Sequence, residues 1–170
     1  MPAKIMSLAL SPDKTKLAAG GEKGNIYFIS TDSFEITSLI KDAHADWVTG
    51  VTFSPDGRYL SSVSWDFKLN IFTASDGKLF KSTLVNTDKA LNSVDWNSSG
   101  NMICCSSSNS NVYVYNFPDL SPYTVFQGHK GQVYQAQFFS TDSIISTGAD
   151  ARVNVWSLPQ KQLMKIFTGF

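Results

Sequence analysis

One pattern of roughly forty-three residues, met four times in succession, limits what this 170-residue chain can fold into. Phe138 recurs as Trp96, Phe53 and Leu10, at intervals of 42, 43 and 43 residues. Asp150 recurs as Asn109, Asp66 and Glu22, at intervals of 41, 43 and 44. The turn Ser54-Pro55-Asp56-Gly57 reappears as Ser11-Pro12-Asp13-Lys14 and, degraded, as Asn97-Ser98-Ser99-Gly100. Three separate landmarks keep one register, so each repeat is a structural unit. Such a unit cannot bury its own faces and relies on its neighbours to cover them.

Inside a repeat the period is that of β-structure. Residues 133–138 alternate as a half-buried strand does, 144–147 form a short apolar run between turn residues, and 153–156 are β-branched and aromatic. Residues 163–167 supply a fourth strand. The same reading gives strands at 5–10, 17–19, 25–29 and 34–39, then at 47–53, 59–63, 69–72 and 79–84, then at 91–96, 102–106, 112–115 and 123–126. The third strands (Ile26-Tyr27-Phe28-Ile29, Leu69-Asn70-Ile71-Phe72, Val112-Tyr113-Val114-Tyr115) are apolar almost throughout, as suits sheets packed on both faces. The units span residues 1–42, 43–86, 87–127 and 128–170, and no segment has a helical period.

The last unit opens with Gly128-His129 and closes its third strand with Trp156. With the repeat length, this resembles the WD40 repeat of β-propellers, over nearly the whole chain. The resemblance implies an all-β, WD40-type β-propeller of four blades, each of four antiparallel strands. Four blades lie at the low end of the range for a closed ring, so the chain is expected to be part of a larger propeller, or to close by pairing with another copy. Thr168-Gly169-Phe170 stands where a fifth Gly-His would open, and Met1-Pro2-Ala3 leads directly into the first strand, so both ends fall at blade boundaries.

Charge and cysteines narrow the function classes. Lys and Arg number 14 against 14 Asp and Glu, without a polybasic run, so neither nucleic acid nor an anionic membrane is an expected partner. No apolar run approaches a membrane span, and the start lacks the pattern of a signal peptide. Cys104 and Cys105 are adjacent in a strand and point to opposite faces, which makes them poor disulfide partners. A reducing compartment follows, cytoplasmic, with the nucleus compatible. The two histidines and two cysteines have no metal-ligand spacing, and no glycine loop leads into a helix, so no metal or cofactor is expected.

His129, Ser146 and Asp150 contain the ingredients of a nucleophilic triad. Ser146 nevertheless lies within a strand and lacks the Gly-x-Ser-x-Gly elbow that would expose it. The resemblance implies another role, in which His129, Ser146, Asp150 and Trp156 form a buried hydrogen-bonded lock that pins the blade. The second repeat keeps His44, Ser62 and Asp66 but has Phe72 in place of the Trp. The third has Cys105, Asn109 and Tyr115 at these places, and the first Ala18, Glu22 and Phe28. The lock is therefore expected to be complete in the fourth unit and partial in the second, with no catalytic residue.

What remains is surface. The resemblance implies partner docking where inner strands begin and where second strands turn into third ones. By register those places hold Trp47, Thr49 and Trp65 in the second unit, Asn92 in the third and Tyr134 in the fourth. Large aromatics on such a rim are natural anchors. The expected function is a non-catalytic scaffold for other proteins. Ser146-Thr147-Gly148-Ala149-Asp150-Ala151 and Asn111-Val112-Tyr113-Val114-Tyr115 resemble the C-terminal blades of the actin-interacting protein 1 family, implying a role with cofilin in actin-filament disassembly. The second unit is also similar to WD40 adaptors of RNA-surveillance and transcription complexes. An enzyme using the central channel would need convergent charges on the inner strands, where only Lys4, Asp95 and Gln137 are found, on different blades.

Overall fold

The computed structural model describes residues 4–169, so Met1-Pro2-Ala3 and Phe170, read above as lying at blade boundaries, fall outside the described residues. Sixteen strands form four separate sheets, each an antiparallel meander in chain order. The first sheet holds β1 (Ile5–Leu10), β2 (Lys16–Gly21), β3 (Ile26–Ser30) and β4 (Ile36–Ile40). The second holds β5 (Val48–Phe53), β6 (Tyr59–Ser64), β7 (Lys68–Thr73) and β8 (Leu79–Leu84), and the third β9 (Leu91–Trp96), β10 (Met102–Ser107), β11 (Asn111–Asn116) and β12 (Pro122–Gln127). The fourth comprises β13 (Val133–Ser140), β14 (Ser143–Gly148), β15 (Val153–Ser157) and β16 (Gln162–Phe167). The one departure from pure β-structure among the described residues is a 3₁₀ turn, Glu22–Gly24, in the β2–β3 connection.

Three apolar cores lie between the four sheets. Ala18, Ile26 and Phe28 of the first blade meet Val48, Phe53 and Leu60 of the second. Val63, Leu69 and Ile71 meet Leu91, Trp96 and Tyr115, and Val112, Val114 and Phe126 meet Val133, Ile144 and Trp156. Each middle sheet is thus covered on both faces, which is why its third strand is apolar without alternation. The two cysteines show the alternation directly. Cys105 lies in the core toward the second blade and Cys104 in the core toward the fourth, both buried and free.

Polar side chains of the inner strands tie the blades together. Thr49 Oγ1 donates to the carbonyl of Leu91 at 2.7 Å, and Asn92 Nδ2 to that of Val133 at 2.8 Å. In the other direction, Ser7 Oγ accepts from the Val51 amide at 3.1 Å, Ser93 Oγ from Ala136 at 2.9 Å and Asp95 Oδ2 from Phe138 at 2.8 Å. These bonds satisfy backbone groups on the inner edge of the neighbouring sheet, where no further strand pairs. At Gly50 a Cβ would stand 2.9 Å from Val63 Cγ2 and 3.2 Å from Ser93 Cα, so only glycine lets the second and third blades approach this closely.

Candidate interaction site

The lock is present as a directed chain of hydrogen bonds in the fourth blade. His129 Nδ1 lies 2.9 Å from Asp150 Oδ1, and His129 Nε2 lies 2.8 Å from Ser146 Oγ. Trp156 Nε1 donates to Ser146 Oγ at 2.7 Å. With the Nδ1 proton facing the carboxylate, Nε2 accepts from the serine hydroxyl, whose oxygen accepts from the indole, so no donor faces another. Asp150 also receives the Lys130 amide at 2.9 Å. These hydrogen bonds outweigh burial, the largest single influence and an upward one, and hold the Asp150 carboxyl below the ordinary carboxylate value.

In the second blade His44 Nδ1 is 3.0 Å from both oxygens of Asp66, and Nε2 is 2.7 Å from Ser62 Oγ. Phe72 fills the tryptophan's place without a donor. The same balance acts on Asp66. Burial raises its pKa, but the His44 ring and the amides of Ala45 and Lys68 prevail and bring it down to about 2.

Both constellations have the connectivity of a Ser-His-Asp triad. Ser62 and Ser146 are nevertheless buried within β6 and β14, and both histidine side chains are fully covered. A nucleophile needs a site about 3 Å away where a reacting atom can sit. These hydroxyls are enclosed by the cores and pin the β2–β3 type turns instead. Among the described residues no group of three or more His, Cys, Asp or Glu is placed to hold a metal ion.

The third blade holds its equivalent turn differently. Cys105, Asn109 and Tyr115 stand at the lock positions, where no lock was expected; Tyr115 lies in the core and the polar work falls to Tyr113 and Asn109. Its hydroxyl donates to the Asn86 carbonyl at 3.1 Å and accepts from Asn109 Nδ2 at 2.7 Å. Tyr113 lies one row along the strand from the Trp position, so matching residues one for one against a tryptophan lock missed it. Tyr113 holds the register position of Asn70 and Asn154, and its bond to the Asn86 carbonyl is the counterpart of the one Asn70 makes to the Ala43 carbonyl.

The expected rim residues fall into two groups. Trp47 precedes β5 and Trp65 follows β6, so both stand at the same end of the second blade. Their rings stack with centroids 4.6 Å apart and planes 13° from parallel. Trp65 is 41% exposed, and Lys4 Nζ lies 6.0 Å from the centroid of Trp47. Thr49 and Asn92 occupy one position on successive inner strands, and both direct their donors to the next blade's carbonyls, as described above. Tyr134 holds the corresponding position in the fourth blade and is 57% exposed. A second aromatic group, unforeseen from sequence, lies at the opposite end. There Phe117 packs at 5.0 Å from Tyr59 and 4.9 Å from Trp96, and Phe80 at 4.9 Å from Tyr59. It is assembled from non-equivalent positions of two blades, which a repeat register does not reveal.

Comparison with known proteins gives consistent results. The model of the family described as "WD domain, G-beta repeat" matches residues 35–80, 77–116 and 120–157. Actin-interacting protein 1-2 of Arabidopsis thaliana is 24% identical over 156 residues, covering 90% of this chain and 26% of the relative. Protein transport protein SEC13 of Phaeosphaeria nodorum is 34% identical over 88 residues, covering 50% of this chain and 29% of the relative. The chain spans about a quarter of the length of the first curated relatives it matches. Among solved structures, that of the RRP9 WD40 repeats superimposes with a TM-score of 0.92 at 21% identity, over 99% of this chain and 52% of the other.

Proposed function

Because the chain belongs to the WD40 repeat family, whose blades present surfaces to other proteins, we propose that it is a non-catalytic scaffold that holds a protein partner on the rim carrying Trp47 and Trp65. The observation that supports this most is the stacked indole pair at the blade end, in which Trp65 is exposed and Trp47 half-buried. Two tryptophans with rings held parallel form a rigid apolar platform that loses little side-chain freedom on binding. The lock of His44, Ser62 and Asp66 holds the turn that carries Trp65, through the Asp66 carboxylate, which accepts the Lys68 amide within the turn and the Ala45 amide of the segment before β5.

The partner we favour is the cofilin-bound actin filament. Support comes from matches to actin-interacting protein 1-2 of Arabidopsis thaliana and actin-interacting protein 1 of Drosophila melanogaster over 90% and 88% of this chain, together with the resemblance of the third and fourth repeats. The test is filament disassembly by cofilin, followed by light scattering with and without the chain. The chain is expected to accelerate disassembly, and Trp65→Ala to reduce binding by about thirty-fold or more while leaving the melting temperature nearly unchanged. Equal binding by the wild type and by Trp47→Ala and Trp65→Ala would move the site elsewhere. Binding lost only in step with folding would reduce the indoles to packing.

A further inference from the structure

At the end of the blades opposite Trp47, two of the three internal junctions are closed by a large apolar side chain. Between the second and third blades it is Phe117, whose ring lies 4.9 Å from Trp96 and 5.0 Å from Tyr59, with Phe80 also against Tyr59. Between the third and fourth it is Leu158, which packs in one core with Met102, Tyr123 and Phe138. These two are equivalent by backbone bonding, since the Phe117 amide donates to the Asn101 carbonyl at 2.8 Å and the Leu158 amide to that of Asp142 at 2.9 Å. At the first junction the same bond runs from the Ala74 amide to the Arg58 carbonyl, at 2.9 Å. A methyl group therefore stands where the other junctions have a ring or an isobutyl group.

The surrounding positions change with it. Lys16 stands where Tyr59 and Met102 stand, opposite Ser30, Thr73 and Asn116 respectively, and Thr37 where Phe80 and Tyr123 stand. Only Phe53 keeps the large ring of Trp96 and Phe138. The outcome is a cavity of about 530 Å³ whose lining includes Pro12, Lys16, Phe53, Arg58, Tyr59 and Ala74, within the size range of ligand sites. Its walls come from the first and second blades alone, on the side where the two meet.

Four charged side chains border this cavity. Asp13 Oδ1 accepts from Ser11 Oγ and from the Thr15 amide and hydroxyl, and Asp56 Oδ1 from Ser54 Oγ and the Arg58 amide, so both carboxylates brace their own turns. Arg58 Nε donates to Asp56 Oδ2 at 2.6 Å. Lys16 is half-buried, and among the described residues no carboxylate lies within ion-pair distance of it. An apolar side chain entering here thus meets one cation that lacks an ion-pair partner.

We propose that the cavity docks an acidic segment of a partner protein, one phenylalanine of which takes the place that Phe117 fills at the next junction while a neighbouring carboxylate pairs with Lys16. The ring lies against Phe53 as Phe117 lies against Trp96. The Lys16 stem covers its edge, and the ammonium at the mouth takes the carboxylate. This site is separate from the rim at Trp47 and Trp65, which lies at the other end of the second blade.

Calorimetric titration of the full chain with a capped pentapeptide, phenylalanine at its centre and glutamates on either side, tests this. Saturable binding is expected. Alanine in place of the peptide's phenylalanine should weaken it about tenfold or more, and lysines in place of the glutamates about threefold or more. Lys16→Gln should weaken the glutamate peptide about threefold and remove the preference between the two charge patterns. Ala74→Phe supplies the missing ring from within the chain and should abolish binding without lowering the melting temperature. Ala74→Leu, which copies Leu158, should do the same with a smaller group, and circular dichroism of both variants separates a filled cavity from lost folding. No saturable binding by the wild type, binding that survives in a folded Ala74 variant, or equal affinity for the glutamate and lysine peptides would each overturn the proposal.

Discussion

Trp156→Phe isolates the one element that distinguishes the fourth blade's lock from the second's. The indole is 1% exposed, donates to Ser146 Oγ at 2.7 Å and stacks on Phe126 at 5.1 Å. A phenyl ring removes the donor but leaves Ser146 bonded to His129, so no buried hydroxyl is orphaned. The lost hydrogen bond then costs about 1 kcal/mol, the net value for a neutral pair. The smaller ring leaves a void against Phe126 and Gly128, worth about another 1 kcal/mol at roughly 24 cal/mol per Å³. Together these give about 2 kcal/mol, or a melting temperature lower by about 4–8 °C for a chain of this size. The assay is urea denaturation with a double-mutant cycle against Ser146→Ala. A coupling of about 1 kcal/mol is expected between the two, since each removes one end of the same bond. Amide exchange in β14 should accelerate in the variant while β6 is unchanged. A loss under 0.5 kcal/mol, about what an unremarkable surface change costs, or no coupling, would refute the lock as a source of stability.

Other consequences concern charge and satisfaction. Asp66 titrates at about 2 in the folded chain, below its unfolded value near 3.9, so its contribution is complete above about pH 4 and is lost as pH falls through 2; Asp66→Asn should flatten the acid limb of a stability-versus-pH curve. Asp95 has the opposite sign, because burial raises its pKa despite the Phe138 amide. Its folded form favours the proton, so Asp95→Asn, which keeps an acceptor for Phe138, should raise the denaturation midpoint at neutral pH and lose that advantage in acid. Asn154 is fully buried, and neither its Nδ2 nor its Oδ1 has a partner, whereas Asn70 at the same position donates to the Ala43 carbonyl at 2.8 Å and accepts from Ser82 at 2.5 Å. Asn154→Val should therefore stabilise by about 1 kcal/mol and Asn70→Val destabilise by a similar amount in equilibrium unfolding.

The repeat period, the strand-forming runs and the turn residues are local properties, and they placed every sheet in order. The positions of Phe53, Trp96 and Phe138 repeat because each side chain fills the same gap between adjacent blades. His129, Ser146, Asp150 and Trp156 were likewise legible, since a fixed register on a fixed sheet brings the same four positions together each time. The tertiary structure decided what lies across blades and outside the register. That Trp47 and Trp65 stack on each other, instead of on separate loops, depends on the turn geometry that sets their rings parallel. Thr49 and Asn92 look like free rim residues until the next sheet's carbonyls come within reach. Tyr113, at the register position of Asn70 and Asn154, bonds to both the Asn86 carbonyl and Asn109, because its longer side chain spans groups that no single-position match brings together. The aromatic group of Tyr59, Phe80, Trp96 and Phe117 joins residues from two blades at unmatched positions, and only packing in three dimensions brings those together.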